Sequence, residues 1–264
     1  MYPLNNKYIL DVATEAAISG ARIVMDALGS TMIANHKGRT DLVTDIDRRS
    51  EQVIKSLLRK QFPDHDIVAE ESGSELMESD YCWFIDPLDG TTNFVHNLPI
   101  FAVSMGLQYN EETILGVVYN PAVDKCFFAE KNGGAFLNGE SIHTSSTNTL
   151  SDSLLVTGFP YIHDNKWAIN FKLFRELYGK TQGIRRLGAA SLDFCFVAMG
   201  RFEGFWEFGL QPWDVCAGAL ILKEAGGKVT DWDESPMPFS GKRVLATNGH
   251  IHREMINTLG RKLS

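Results

Sequence analysis

Apolar residues recur three and four positions apart near the start of the chain: Leu10, Ala13, Ala17, Ala21, Val24, Met25 and Leu28. That spacing predicts an amphipathic helix that stops at Gly29. Thr44 followed by Asp47 matches a capping box. Val53, Ile54, Leu57, Leu58 and Phe62 then predict a second helix, which Pro63 ends. Between the two, Asn35 to Thr40 is polar, carries Gly38 and reads as a mobile loop. After the second helix the period shortens. Ile67–Ala69 and Tyr81–Ile85 read as short strands that run into Glu70-Glu71 and Asp86. Pro87 is expected to turn the chain directly after the second of these. Phe101–Leu107, Thr113–Tyr119 and Cys126–Ala129 read as strands, with Asn132-Gly133 and Asn138-Gly139 as hairpin signals.

Beyond about Ser146 the elements alternate. Leu154–Thr157 reads as strand, Trp167–Tyr178 and Ala189–Met199 as helices, and Gly204–Phe208 as strand. A helix over Val215–Ala225, strands over Lys228–Thr230 and Val244–Ala246, and a helix over His250–Leu259 complete the chain. Such alternation points to α/β organisation. The expectation is one catalytic unit over 1–264. Within it, 1–146 would hold two helices and a largely antiparallel sheet, and 147–264 an α/β part, with only the polar run Thr144–Thr149 between them.

Composition narrows the function classes. The chain has 264 residues, 25 Lys plus Arg and 33 Asp plus Glu, for a net charge of −8. A global basic field is absent, which speaks against nucleic acid as a partner. The longest apolar runs fall far short of the roughly 18 residues of a membrane span. Asp11 and Glu15 interrupt the first apolar segment, unlike the core of a signal peptide, so a cytoplasmic protein is expected. Cys82, Cys126, Cys195 and Cys216 have no metal or redox spacing and read as buried small hydrophobes in a reducing compartment. The seven histidines show no usable pairing, His250 and His252 included, and read as surface residues. Arg185-Arg186 reads as an anion site, a subunit contact or an exposed pair. Ser104 lacks the glycines of a nucleophile elbow.

The chemistry lies in carboxylates that stand where apolar elements stop: Glu70, Asp86, Asp89 and Asp214. Alone, each reads as a turn residue, a helix cap or a surface charge. Asp41, Asp45 and Asp47 read the same way. In Asp86-Pro87-Leu88-Asp89-Gly90-Thr91-Thr92-Asn93, however, two carboxylates three residues apart adjoin Gly90 and a hydroxyl-bearing helix start. Carboxylates beside phosphate-binding N–H groups require a divalent cation between them. Together the pattern points to metal-assisted phosphoryl transfer.

Two segments resemble signatures of the inositol monophosphatases. They are Asp86-Pro87-Leu88-Asp89-Gly90-Thr91-Thr92-Asn93-Phe94, and Trp213-Asp214 with Ala217-Gly218-Ala219 and Glu224-Ala225-Gly226-Gly227. Glu70-Glu71-Ser72, Asp41 to Thr44 with Asp47, and Gly134 to Gly139 fit as well, so the likeness covers essentially the whole chain. It implies an α+β and α/β chain folded as a layered αβαβα sandwich of the sugar and inositol phosphatase type. It also implies Mg²⁺ as cofactor, inhibition by Li⁺ and a homodimer. Carried over, Glu70, Asp86 and the Leu88 carbonyl resemble one metal site, and Asp86, Asp89 and Asp214 a second, with Glu70 serving a third. Asp47 and Thr91 would orient the attacking water with Glu70. Gly90 and Thr91 would hold phosphate, while Asp89, Ala190, Glu207 and Asp214 would face substrate hydroxyls. Lys37 would sit on a loop closing over the site. The implied reaction is hydrolysis of inositol 1-phosphate. Fructose 1,6-bisphosphate, histidinol phosphate and nucleotide monophosphates remain open, as does a dimeric regulatory protein. Two departures bear on the substrate: Ala189 stands where the family often has a hydroxyl, and Tyr161–Trp167 has no clear counterpart.

Overall fold

The structure, a computed structural model, describes residues 6–29, 34–36, 42–160 and 164–260. Lys37, Asp41 and Tyr161 lie outside the described residues, as does the side chain of Thr44.

The chain opens with α1 (Asn6–Ala27), the short pair β1 (Ala34–His36) and β2 (Leu42–Thr44), and α2 (Asp45–Gln61). An eight-stranded sheet follows: β3 (Asp66–Ala69), β4 (Gly73–Glu75), β5 (Tyr81–Asp89), β6 (Ala102–Tyr109), β7 (Glu112–Asn120), β8 (Lys125–Glu130), β9 (Gly134–Leu137) and β10 (Glu140–Ser141). The helix α3 (Thr91–Val95) interrupts it after β5. The spatial order is β10-β9-β8-β7-β6-β5-β3-β4, antiparallel except for the β3–β5 pair. The second part comprises β11 (Leu154–Thr157), α4 (Asn165–Tyr178), β12 (Gly183–Arg185), α5 (Ala190–Ala198), β13 (Gly204–Phe208), α6 (Pro212–Glu224), β14 (Lys228–Thr230), β15 (Arg243–Thr247) and α7 (His252–Leu259). Its five strands form a mixed sheet in the order β12-β11-β13-β15-β14.

Three apolar clusters explain the layering. The stripe of α1 (Ile9, Ala13, Ala17) and that of α2 (Ile54, Leu58) bury against Trp83, Met105 and Val117 of the large sheet. α5 and α6 are apolar on nearly every side, as helices buried on all faces must be. They fill the space between the sheets with Phe194, Val197, Val215 and Ile221. Leu173 and Leu177 of α4 and Met255 and Leu259 of α7 close the far face of the small sheet on Trp206 and Leu245. The result is the αβαβα sandwich. α6 lies very close to the large sheet: a Cβ at Gly116 would stand 2.8 Å from the Ala217 carbonyl oxygen. No helix among the described residues is long and apolar enough to cross a membrane.

Several expectations need correction. β5 does not end before Pro87 but runs on to Asp89, because a bulge absorbs the proline within the strand. α6 begins at Pro212, so Asp214 lies inside its first turn. His65 and His252 are buried, at 7% and 2% exposure. His65 stacks between Phe62 and Tyr81 and accepts a hydrogen bond from Trp83 Nε1. His252 bridges the hydroxyls of Thr230 and Thr247. Aromatic and hydroxyl partners distant in sequence made burial possible. Cys195 and Cys216 are buried, but Cys82 and Cys126 are only half-buried.

Candidate functional site

Asp86 and Asp89 pair across the sheet with Ser104 and Ala102 of β6. Two residues separate the carboxylates, but only Val103 separates their partners. In a regular strand, positions three apart face opposite sides. The extra residue restores parity, so both carboxylates face one side. Gly90 then adopts φ +90° and starts α3. A Cβ there would meet the Ile100 carbonyl oxygen at 2.8 Å. Both the backbone conformation and the space demand glycine. The first amides of α3 lack intrahelical acceptors, which suits an anion.

These residues open into a cavity of about 680 Å³ whose wall includes Glu70, Asp86, Leu88, Asp89, Gly90 and Thr91. Ala190, Glu207 and Asp214 line it as well. Glu70 follows the end of β3, where its N–H bonds to the Ile85 carbonyl. Asp214 comes from α6, where its Oδ2 accepts the Gln211 N–H at 2.7 Å and so caps the helix. Glu207 projects from β13. Asp47 behaves differently. It is buried on the first turn of α2 and is not among the residues lining the cavity.

The carboxylates strain one another electrostatically. Burial pushes Asp86 well above the usual carboxylate range, and Glu70, Asp89 and Asp214 add repulsion. Asp214 is raised in the same way, by burial first and then by Asp89. Asp89 is also raised by burial, but it is held by the Ser191 hydroxyl at 2.5 Å and by the amides of Ser191 (2.8 Å) and Ala190 (3.2 Å). Glu207 is pushed up to about 8 by burial, against the nearby Arg186 guanidinium.

Oxygen donors of this kind fit a hard divalent cation. Among the described residues, no three His, Cys, Asp or Glu side chains are placed to hold a metal ion as they stand. Asp86 Oδ1 turns to the Leu88 amide at 2.9 Å, Asp89 to the start of α5, and Asp214 to its own helix. The Leu88 carbonyl accepts the Thr91 hydroxyl at 3.1 Å. The donor chemistry fits a cation that relieves buried repulsion, and Asp86 and Asp214 each keep a second oxygen to offer it.

The sequence missed Asp193 and Glu51 and left the Arg185-Arg186 pair open. Asp193 of α5 is buried, and burial, Glu207 and Asp89 push it well up; a lone carboxylate in an apolar helix is the available signal. Arg186 lines the cavity, whereas Arg185 lies on β12. Glu51 on α2 is buried, and its Oε2 accepts the Glu71 N–H at 2.8 Å, beside Glu70.

A family model described as the inositol monophosphatase family matches residues 5–263. An inositol-1-monophosphatase from Synechocystis is 44% identical over 252 residues, covering 95% of this chain and 88% of that protein. A fructose-1,6-bisphosphatase/inositol-1-monophosphatase from Aquifex aeolicus is 42% identical, covering 94% of each. The Nus factor SuhB of Pseudomonas aeruginosa is 43% identical, covering 92% of this chain and 90% of that protein. The inositol monophosphatase structure from Anabaena superposes with a TM-score of 0.88 at 43% identity, covering 98% of this chain and 97% of that one.

Proposed function

This chain belongs to the inositol monophosphatase family, and we propose that it is a Mg²⁺-dependent phosphomonoesterase that hydrolyses inositol 1-phosphate. The observation that carries the reading is the convergence of Glu70, Asp86, Asp89 and Asp214 on one cavity beside the Gly90–Thr91 helix start. Glu70, Asp86, Asp89, Asp214 and the Leu88 carbonyl would hold the cation. When bound, Mg²⁺ supplies a water of lowered pKa and offsets charge on the phosphate and its leaving oxygen. The chain does the rest. The amides at Gly90 and Thr91 orient the phosphate. Thr91, Asp47 and Glu70 position the attacking water. Asp89, Ala190, Glu207 and Asp214 meet the hydroxyls of the polyol. No side-chain nucleophile is called for, because a positioned water suffices. The cavity draws on both halves of the chain, so residues 1–264 act as one catalytic unit. The protein works as a cytoplasmic homodimer and is sensitive to Li⁺.

A second substrate, fructose 1,6-bisphosphate, is favoured by the Aquifex relative. A regulatory role is favoured by the Pseudomonas relative. The test is phosphate release from inositol 1-phosphate, fructose 1,6-bisphosphate, histidinol phosphate and a nucleotide monophosphate, with Mg²⁺ and with EDTA. Release of phosphate from inositol 1-phosphate that EDTA abolishes is expected. A folded protein inert on all four supports the regulatory reading instead.

A further inference from the structure

The Glu207 carboxylate packs directly against the Gly158 backbone. A Cβ built at Gly158 would coincide with the Glu207 carboxylate, touching both oxygens and Cδ. Gly158 follows β11 and Trp206 precedes Glu207 on β13, and these strands pair in parallel with Thr157 opposite Trp206. One side chain from outside the sheet joins the two. Asn170 of α4 is wholly buried, at 0% exposure. Its Oδ1 accepts the Trp206 indole N–H at 2.6 Å, and its Nδ2 donates to the Gly158 carbonyl at 2.6 Å. The Thr157 hydroxyl completes the tie by donating to the Trp206 carbonyl at 2.6 Å.

From this network we infer that Asn170 is a specificity-determining positioning residue, which locks Gly158 and Trp206 together and so fixes the Glu207 carboxylate toward the hydroxyl edge of the substrate. Asn170 is not among the residues lining the cavity and acts through Gly158 and Glu207, which are. The inference rests on the reading above, in which Glu207 meets substrate hydroxyls. An amide is required, because the position accepts at one end and donates at the other. Aspartate has the same size but would set an oxygen against the Gly158 carbonyl.

The experiment compares two probes at saturating Mg²⁺: inositol 1-phosphate, which has hydroxyls for Glu207, and p-nitrophenyl phosphate, which has none. Asn170→Asp and Glu207→Ala are measured beside the unaltered protein. In both variants the ratio of kcat/KM for inositol 1-phosphate to kcat/KM for p-nitrophenyl phosphate is expected to fall about tenfold or more, mainly through KM for inositol 1-phosphate, as one lost substrate hydrogen bond implies. If Glu207→Ala lowers that ratio while Asn170→Asp spares both probes or weakens both alike, the inference is overturned and the reading of Glu207 stands. If Glu207→Ala treats both probes alike, that reading fails and the inference with it. Should Asn170→Asp fail to fold, Asn170→Ser, whose short side chain cannot bridge Gly158 and Trp206, takes its place in the same comparison.

Discussion

Asp86 and Asp89 share one face of the large sheet because Val103 alone stands between their partners on β6. A single extra residue in a strand thus creates the acidic floor of the cavity. The floor is costly when uncompensated, since burial and mutual repulsion raise Asp86 and Asp214 well above the ordinary range. Asp214→Asn keeps an oxygen for the Gln211 amide and removes the charge. It is expected to raise the melting temperature in metal-free buffer by about 2–4 °C, the shift for roughly 1 kcal/mol in a chain of this size. The same substitution, and Asp89→Asn, should cut turnover by about 10²-fold or more. Differential scanning calorimetry and initial rates check the two halves. Near-normal rates in either variant would remove it from the proposed ligands.

Gly90→Ala forces a side chain onto φ +90° and toward the Ile100 carbonyl oxygen. The expected loss is about 2–4 kcal/mol from left-handed strain and overpacking together. Urea denaturation measures it, and an unchanged midpoint would refute the strain argument.

Glu51 and the Glu71 amide hold the segment that carries Glu70 against α2. Glu51→Ala should lower kcat by about 10- to 100-fold by loosening that segment. Glu51→Gln retains an acceptor and should stay close to the unaltered rate. Equal losses in both variants would point to the charge rather than the hydrogen bond.

His65 and His252 are each held down to about 4, chiefly by burial, from an ordinary 6.5. Between those values the unfolded chain binds more protons than the folded one. Their contribution to stability is therefore complete above pH 6.5 and lost as pH falls through 6.5 toward 4. At His252, Thr230 donates to the Asp231 carbonyl and so accepts from Nε2–H, which leaves Nδ1 to accept from Thr247. Protonating Nδ1 breaks that arrangement. Melting temperature followed from pH 7 to 4 should fall, and less steeply in His252→Gln. A flat profile would contradict both assignments.

Much of this was legible in the chain. Periodicity located α1, α2 and α4 and most strands, because each buries one face against a neighbouring layer. β12 escaped notice because Gly183–Arg185 is too short to carry a pattern. Glu70, Asp86, Asp89 and Asp214 were marked by their positions at element ends, and they meet at one cavity. The bulge at Pro87 was not legible, since it depends on the register with β6. Neither was the burial of His65, which needs Phe62, Tyr81 and Trp83 around it. Glu51 reads as one more charge on an amphipathic helix until the hairpin after β3 is seen to lie on it.

Asp214 holds two posts, as the cap of α6 and as part of the cavity floor. A positive partner drawn to the other oxygen, Oδ1, withdraws charge from the carboxylate and weakens its hold on the Gln211 amide. Whatever draws on Asp214 therefore writes its presence into the first turn of the helix between the two sheets. Deuterium uptake at that one amide becomes a gauge of occupancy, readable in the absence of any turnover. The middle layer is both the molecule's filling and its indicator.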